Sequence, residues 1–156
     1  MEEQKPGYQT FEDLDASKIA REFRKAMYGI ARRLPDTEKF GLVSQVRRAA
    51  VSLTNSIAEG HGRFHYLDQL KFMLQARGSL EELLDDLNIR QDEGYLPPGD
   101  ISLLKGHAWR VHKVLNGYIR VLRNRKPEGS SRVEENVLEY PAVDDESNDR
   151  FNASSL

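Results

Sequence analysis

Between positions 12 and 126 apolar residues recur four times over at three- and four-residue steps, with breaks at Pro35, at the two glycines between Glu59 and Arg63, and at Pro97–Pro98–Gly99. Such spacing makes amphipathic helices, and nowhere does a period-two alternation run long enough for a strand. The first segment, roughly Glu12 to Leu34, sets Ile19, Phe23, Ala26, Met27, Ile30 and Leu34 on one face. The second, about Thr37 to Glu59, repeats the rhythm with Val43, Val46, Ala50, Leu53 and Ile57. The third, about His65 to Glu93, is apolar at Leu67, Leu70, Met73, Leu74, Leu80, Leu84 and Leu87, with Phe72, Ala76 and Leu83 widening the face. That stripe exceeds the roughly 100° one core needs, which predicts a central helix or burial against another subunit. The fourth opens with Pro97, Pro98 and the cap candidate Asp100, and carries Ile101, Leu104, Ala108, Val111, Leu115, Ile119 and Leu122 in near-heptad spacing. Short connections favour antiparallel neighbours, so the expected fold is all-α, an up-and-down antiparallel four-helix bundle.

Charge is distributed unevenly along the chain. The 156 residues hold 23 Lys+Arg and 25 Asp+Glu, a net of −2 that speaks against a polyanionic partner. Residues 127–156, however, hold eight of the acids and two of the bases and lack any helical or strand period. They read as a disordered acidic tail of net −6, which leaves 21 bases and 17 acids, net +4, on residues 1–126. The domain reading is a flexible N-terminus over 1–10, a bundle over 11–126 and the tail over 127–156. The tail is expected to be inert or weakly autoinhibitory toward nucleic acid. The first ten residues have no apolar run of the kind a secretory signal needs, and no eighteen apolar residues occur in succession, so a soluble cytoplasmic protein is expected. The absence of cysteine excludes disulfides, thiolate metal sites and cysteine nucleophiles.

Several blocks carry a family resemblance. Phe40 to Arg63, with Arg47-Arg48-Ala49 and Asn55-Ser56-Ile57-Ala58-Glu59-Gly60 inside it, resembles the signature of the four helix bundle protein family, also called the large-subunit 23S rRNA intervening-sequence protein family. Phe11-Glu12-Asp13-Leu14, Gly78-Ser79-Leu80-Glu81-Glu82-Leu83 and Gly94-Tyr95-Leu96 add to the match, which covers about residues 10–125. The resemblance implies a bundle that assembles as a homo-oligomer, a pentameric ring. It extends distantly to accessory proteins of diversity-generating retroelements, which bind a reverse transcriptase and nucleic acid. No enzymatic activity and no cofactor are implied.

Two sets of residues are candidate sites. Lys18, Arg21, Lys25 and Arg32 fall within about a sixth of the first helix's circumference, opposite its apolar face. The fourth helix carries Arg110, Lys113 and Arg120, then Arg123, Arg125 and Lys126 at its end. These are the expected nucleic-acid-binding residues, by phosphate neutralisation rather than sequence readout, since no helix-turn-helix, finger or RNP pattern is present. A plain solvated face is the competing reading. The second set is a polar line on the second helix, Gln45, Arg48, Ser52, Asn55 and Glu59. It reads as a buried polar network or subunit contact, with Glu81 or Glu82 as partner to Arg48. Acidic Glu81, Glu82, Asp85, Asp86, Asp92 and Glu93 on the third helix could meet a basic face of a neighbouring subunit. Gly78 and Ser79 in mid-helix suggest close backbone approach. His61, His65 and Asp68 have a metal-compatible spacing, but Gly60 and Gly62 place the first in a turn, so no metal site is expected.

The leading expectation is a non-enzymatic homo-oligomer that binds RNA, DNA or a nucleoprotein partner. The alternative is a protein–protein adaptor, such as a reverse-transcriptase accessory subunit, with no nucleic-acid contact. A metal-dependent hydrolase centred on His61 and His65 is a remote third.

Overall fold

The computed structural model describes residues 10–125. The acidic tail, Lys126 and most of the 1–10 segment lie outside the described residues. Thr10 opens a short 3-10 turn at Phe11–Asp13. Its hydroxyl accepts from the Glu12 amide at 3.2 Å, and its own amide donates to the Asp13 carboxylate at 3.1 Å. Helix α1 follows at Asp15–Ala31. It ends three residues before Leu34, since the residue ahead of a proline is disfavoured in helical conformation and Pro35 sets the limit.

Helix α2 spans Leu42–His61, starting later than the apolar rhythm predicts, because Asp36–Glu38 forms a separate 3-10 turn. That turn aims the Glu38 carboxylate back to accept the Leu42 amide at 3.2 Å, capping α2 from outside the helix. Helix α3 spans Tyr66–Asp92 and α4 spans Pro98–Arg123. Asp100 does not cap α4. Proline opens the helix, where an absent N–H costs nothing, and Asp100 instead pairs with Arg33, just past the end of α1, at 3.2 Å.

The helices close a ring of four neighbours, α1–α2–α3–α4–α1. Cross-helix contacts run in opposite numerical order at every seam, as antiparallel packing demands: Arg24 with Thr54 and Tyr28 with Arg47, Arg48 with Glu82 and Ser52 with Ser79, Arg77 with Asn116 and Asn88 with Lys105. The α4–α1 seam joins His107 to Phe23 and Asp100 to Arg33. The interior is filled by Phe23, Met27, Val46, Leu53, Ile57, Met73, Leu80, Leu87, Val111 and Leu115, all fully enclosed. Among the described residues there is no strand, so the fold is an all-α four-helix bundle.

Two expectations change here. Helix α3 is one wall of four rather than a central helix: Ala76 and Leu83, which widen its apolar face, are buried in the core, Leu70 and Leu74 are half-buried against it, and Leu67 is 39% exposed. Gly78 is not a close approach, for a Cβ there would meet nothing within 4 Å. The tight crossing is at Gly60, where a Cβ would lie 2.9 Å from the Phe72 Cβ and 3.3 Å from the Gln69 carbonyl.

Candidate functional site

The basic faces follow from helical phase. On α1 the core takes Ala16, Ala20, Phe23, Met27 and Ile30, which forces Lys18, Arg21 and Lys25 outward, with Arg32 just past the helix end. On α4 the heptad residues turn inward and put Arg110, Lys113, Arg120 and Arg123 in solvent, with Arg125 beyond the helix. Lys25 pairs with Glu22 at 3.1 Å, an exposed pair of little energetic weight. The other eight, Lys18, Arg21, Arg32, Arg110, Lys113, Arg120, Arg123 and Arg125, are exposed and make no ion pair among the described residues. Because α1 and α4 are neighbours, the two basic faces occupy adjacent walls.

The polar line on α2 borders α3, and it is not buried in the single chain. Arg48 and Glu82 pair at 2.9 Å with most of each side chain in water, at 66% and 52% exposure. Gln45, Asn55 and Glu59 are exposed, and Glu59 pairs with Arg63 one turn on. Only Ser52 reaches the interior, its hydroxyl 2.8 Å from that of buried Ser79, which also donates to the Gln75 carbonyl at 3.2 Å. The helix phase explains the difference: the line sits at the outer edge of the α2–α3 seam, so long side chains reach solvent while the short serine stays between the helices.

The α3–α4 seam holds a polar chain that the apolar spacing does not reveal. Arg77 donates to Asn116 at 3.2 Å, Asn116 contacts His112 Nδ1 at 3.0 Å, and His112 Nε2 lies 3.5 Å from Glu81. Burial pushes the His112 pKa down, with Glu81 opposing and Arg77 assisting, so the imidazole is neutral near pH 7. Trp109 stacks on the same ring at 5.3 Å. His107, five residues earlier, faces α1 instead, edge-on to Phe23 at 5.5 Å, and burial lowers its pKa as well. Among the described residues, no group of three His, Asp or Glu side chains is placed to hold a metal.

Three further residues join the basic surface at the α1–α2 seam. Arg24 donates to Thr54 at 2.9 Å, and the Arg47 guanidinium lies 5.6 Å from the centre of the Tyr28 ring. The i, i+4 spacing of Arg24 and Tyr28 already put them on one edge of α1, but which neighbour that edge would meet was not readable from spacing. Asp86, expected among the acidic residues that could meet a neighbouring subunit, is instead buried on the core face of α3, and Arg90 beside it was missed. Their signal was the run Leu83, Asp86, Leu87, Arg90 at core spacing.

The family model for the 23S rRNA-intervening sequence protein matches residues 12–117. The chain belongs to this family. The match runs from the turn before α1 to the last third of α4, so it takes in all four helices and both basic faces except Arg120, Arg123 and Arg125. No curated protein matches the chain. Among the described residues no helix is long and apolar enough to cross a membrane.

Proposed function

We propose that this protein is a non-enzymatic, cytoplasmic, homo-oligomeric helical bundle that binds RNA, DNA or a nucleoprotein partner through the basic faces of α1 and α4. The observation that carries the reading is the eight exposed cations on two adjacent walls that make no ion pair among the described residues. Unpaired guanidinium and ammonium groups are free to neutralise phosphates and release counterions, and a ring of subunits multiplies the footprint. A pentamer is the proposed assembly. The family's tie to sequences intervening in 23S rRNA supports an RNA-linked setting.

The second reading is an adaptor that binds only protein, for instance a reverse transcriptase. Exposed Glu81, Glu82, Asp85 and Asp92 on α3 favour it, because they offer another subunit's basic face an alternative to phosphate. Purification at low salt, with light scattering and the ultraviolet absorbance ratio read together, separates the two. Co-purifying nucleic acid that salt strips off supports the first reading. A clean oligomer that never retains RNA or DNA supports the second.

A further inference from the structure

We infer that the groove between α1 and α2 is a subsite for single-stranded nucleic acid, holding a phosphodiester among Arg24, Lys25 and Arg32 while a base lies against Tyr28; this rests on the nucleic-acid reading above. The groove has a volume of about 520 Å³ and is lined by Arg24, Lys25, Tyr28, Arg32 and Val51. That lies within the range of roughly 300–1,000 Å³ typical of small-molecule sites, enough for a nucleotide but not for a duplex with its bases stacked inside. Its lining sets three cationic side chains beside Tyr28 and Val51, which matches a base with its attached phosphate.

Arg24 in the groove and Arg47 beside it are held in place by groups other than carboxylates. Thr54 fixes Arg24 at 2.9 Å, and the Tyr28 ring holds the Arg47 guanidinium at 5.6 Å. Neither contact neutralises charge, so both arginines stay available to an anion and lose little freedom on binding it. Acids are scarce on these two helices. On α1 only Asp15 and Glu22 are acidic, and on α2 only Glu59, which is occupied by Arg63. Lys25 alone has a carboxylate neighbour, Glu22, and that exposed contact is easily exchanged for a phosphate. A base–tyrosine contact does not depend on sequence, because every base offers a π face.

The test uses the full chain and fluorescence anisotropy with three probes: a single-stranded RNA of about 12 nucleotides, its duplex, and an abasic sugar–phosphate strand of equal length. Arg24→Gln and Arg47→Gln are expected to weaken single-strand binding, each flattening the log–log salt slope by about 0.7. Tyr28→Leu is expected to weaken it about tenfold while leaving the abasic strand unaffected, and Tyr28→Phe to bind like the parent. Thermal midpoints check that each variant is folded. If the folded groove variants match the parent on single-stranded RNA while Arg110→Gln with Lys113→Gln weakens it, the subsite is wrong and the basic-face reading survives. A parent chain that binds none of the three probes at low salt overturns both. Tighter binding of a polyglutamate peptide than of the single strand also overturns the subsite.

Discussion

Arg90 lies on the core face of α3 with none of its surface exposed, and its three guanidinium nitrogens meet no hydrogen-bond partner among the described residues. One turn earlier Asp86 is 6% exposed. Burial lowers the Arg90 pKa to about 10 and raises that of Asp86 to about 6, the Arg90 charge opposing the latter without overcoming it. Desolvation thus outweighs Coulomb attraction for both. The two make no ion pair among the described residues, so replacing both, by Asp86→Leu with Arg90→Met, removes two desolvation costs and is expected to stabilise the bundle by about 1–4 kcal/mol in urea unfolding. The pH dependence follows in sign. A carboxyl with a raised folded pKa binds more protons when folded, so its contribution to stability falls as pH rises from about 4 to about 6, by on the order of 3 kcal/mol. Urea midpoints of the parent, measured against Asp86→Asn at both ends of that window, should show the parent losing ground as pH rises. A constant difference would mean that Asp86 does not titrate there.

At the scale of an element, the two mid-chain glycines of α2 and α3 make opposite demands. Gly60 sits where α2 crosses α3. An alanine methyl would press on the Phe72 Cβ and the Gln69 carbonyl, neither of which can swing away as the Met73 terminus can. Gly60→Ala is therefore expected to destabilise by about 1–3 kcal/mol, as overpacked contacts do. Gly78 is exposed with nothing for a methyl to meet, and Gly78→Ala should stabilise the folded chain by about 1 kcal/mol through helix propensity alone. Thermal unfolding of both variants checks the contrast. An assembly that loosens on Gly78→Ala while the chain itself stays folded would place that glycine at a subunit contact. The late start of α2 has the same local origin: Pro35 and the Asp36–Glu38 turn take up residues that an apolar rhythm counts as helix, and only the Glu38 contact to Leu42 shows where the helix begins.

For the whole molecule, charge is sorted by wall. Exposed cations, of which only Lys25 and Arg33 make an ion pair among the described residues, lie along α1 and α4 and just past their ends, and exposed carboxylates gather on the C-terminal half of α3. If copies join by matching these walls, light-scattering mass should fall between about 0.1 M and about 1 M salt, as the Debye length shrinks from about 10 Å to about 3 Å. An assembly whose mass ignores salt would be held by apolar contacts instead. Phe40 and Phe64, 90% and 92% exposed in the two connections on either side of α2, are available for that. Phe40→Ser with Phe64→Ser would then lower the mass while charge reversal on α3 would not.

Apolar periodicity and the three breaks were enough to determine four helices, their order and their antiparallel sense, because a helix must bury its one apolar stripe and a short connection leaves it only a neighbour to bury it against. The outward phase of Lys18, Arg21, Arg110 and Lys113 follows from the same stripes. Spacing along one helix says nothing of distances between helices, and those were decided only by the tertiary structure. It showed Arg48 in solvent beside Glu82 rather than buried, Gly60 rather than Gly78 at the crossing, Arg24 and Tyr28 sharing one groove with Val51, and Arg47 over the Tyr28 ring. Which residues face one another depends on the rotation and height of each helix against the next, and those are set by how the whole core packs at once.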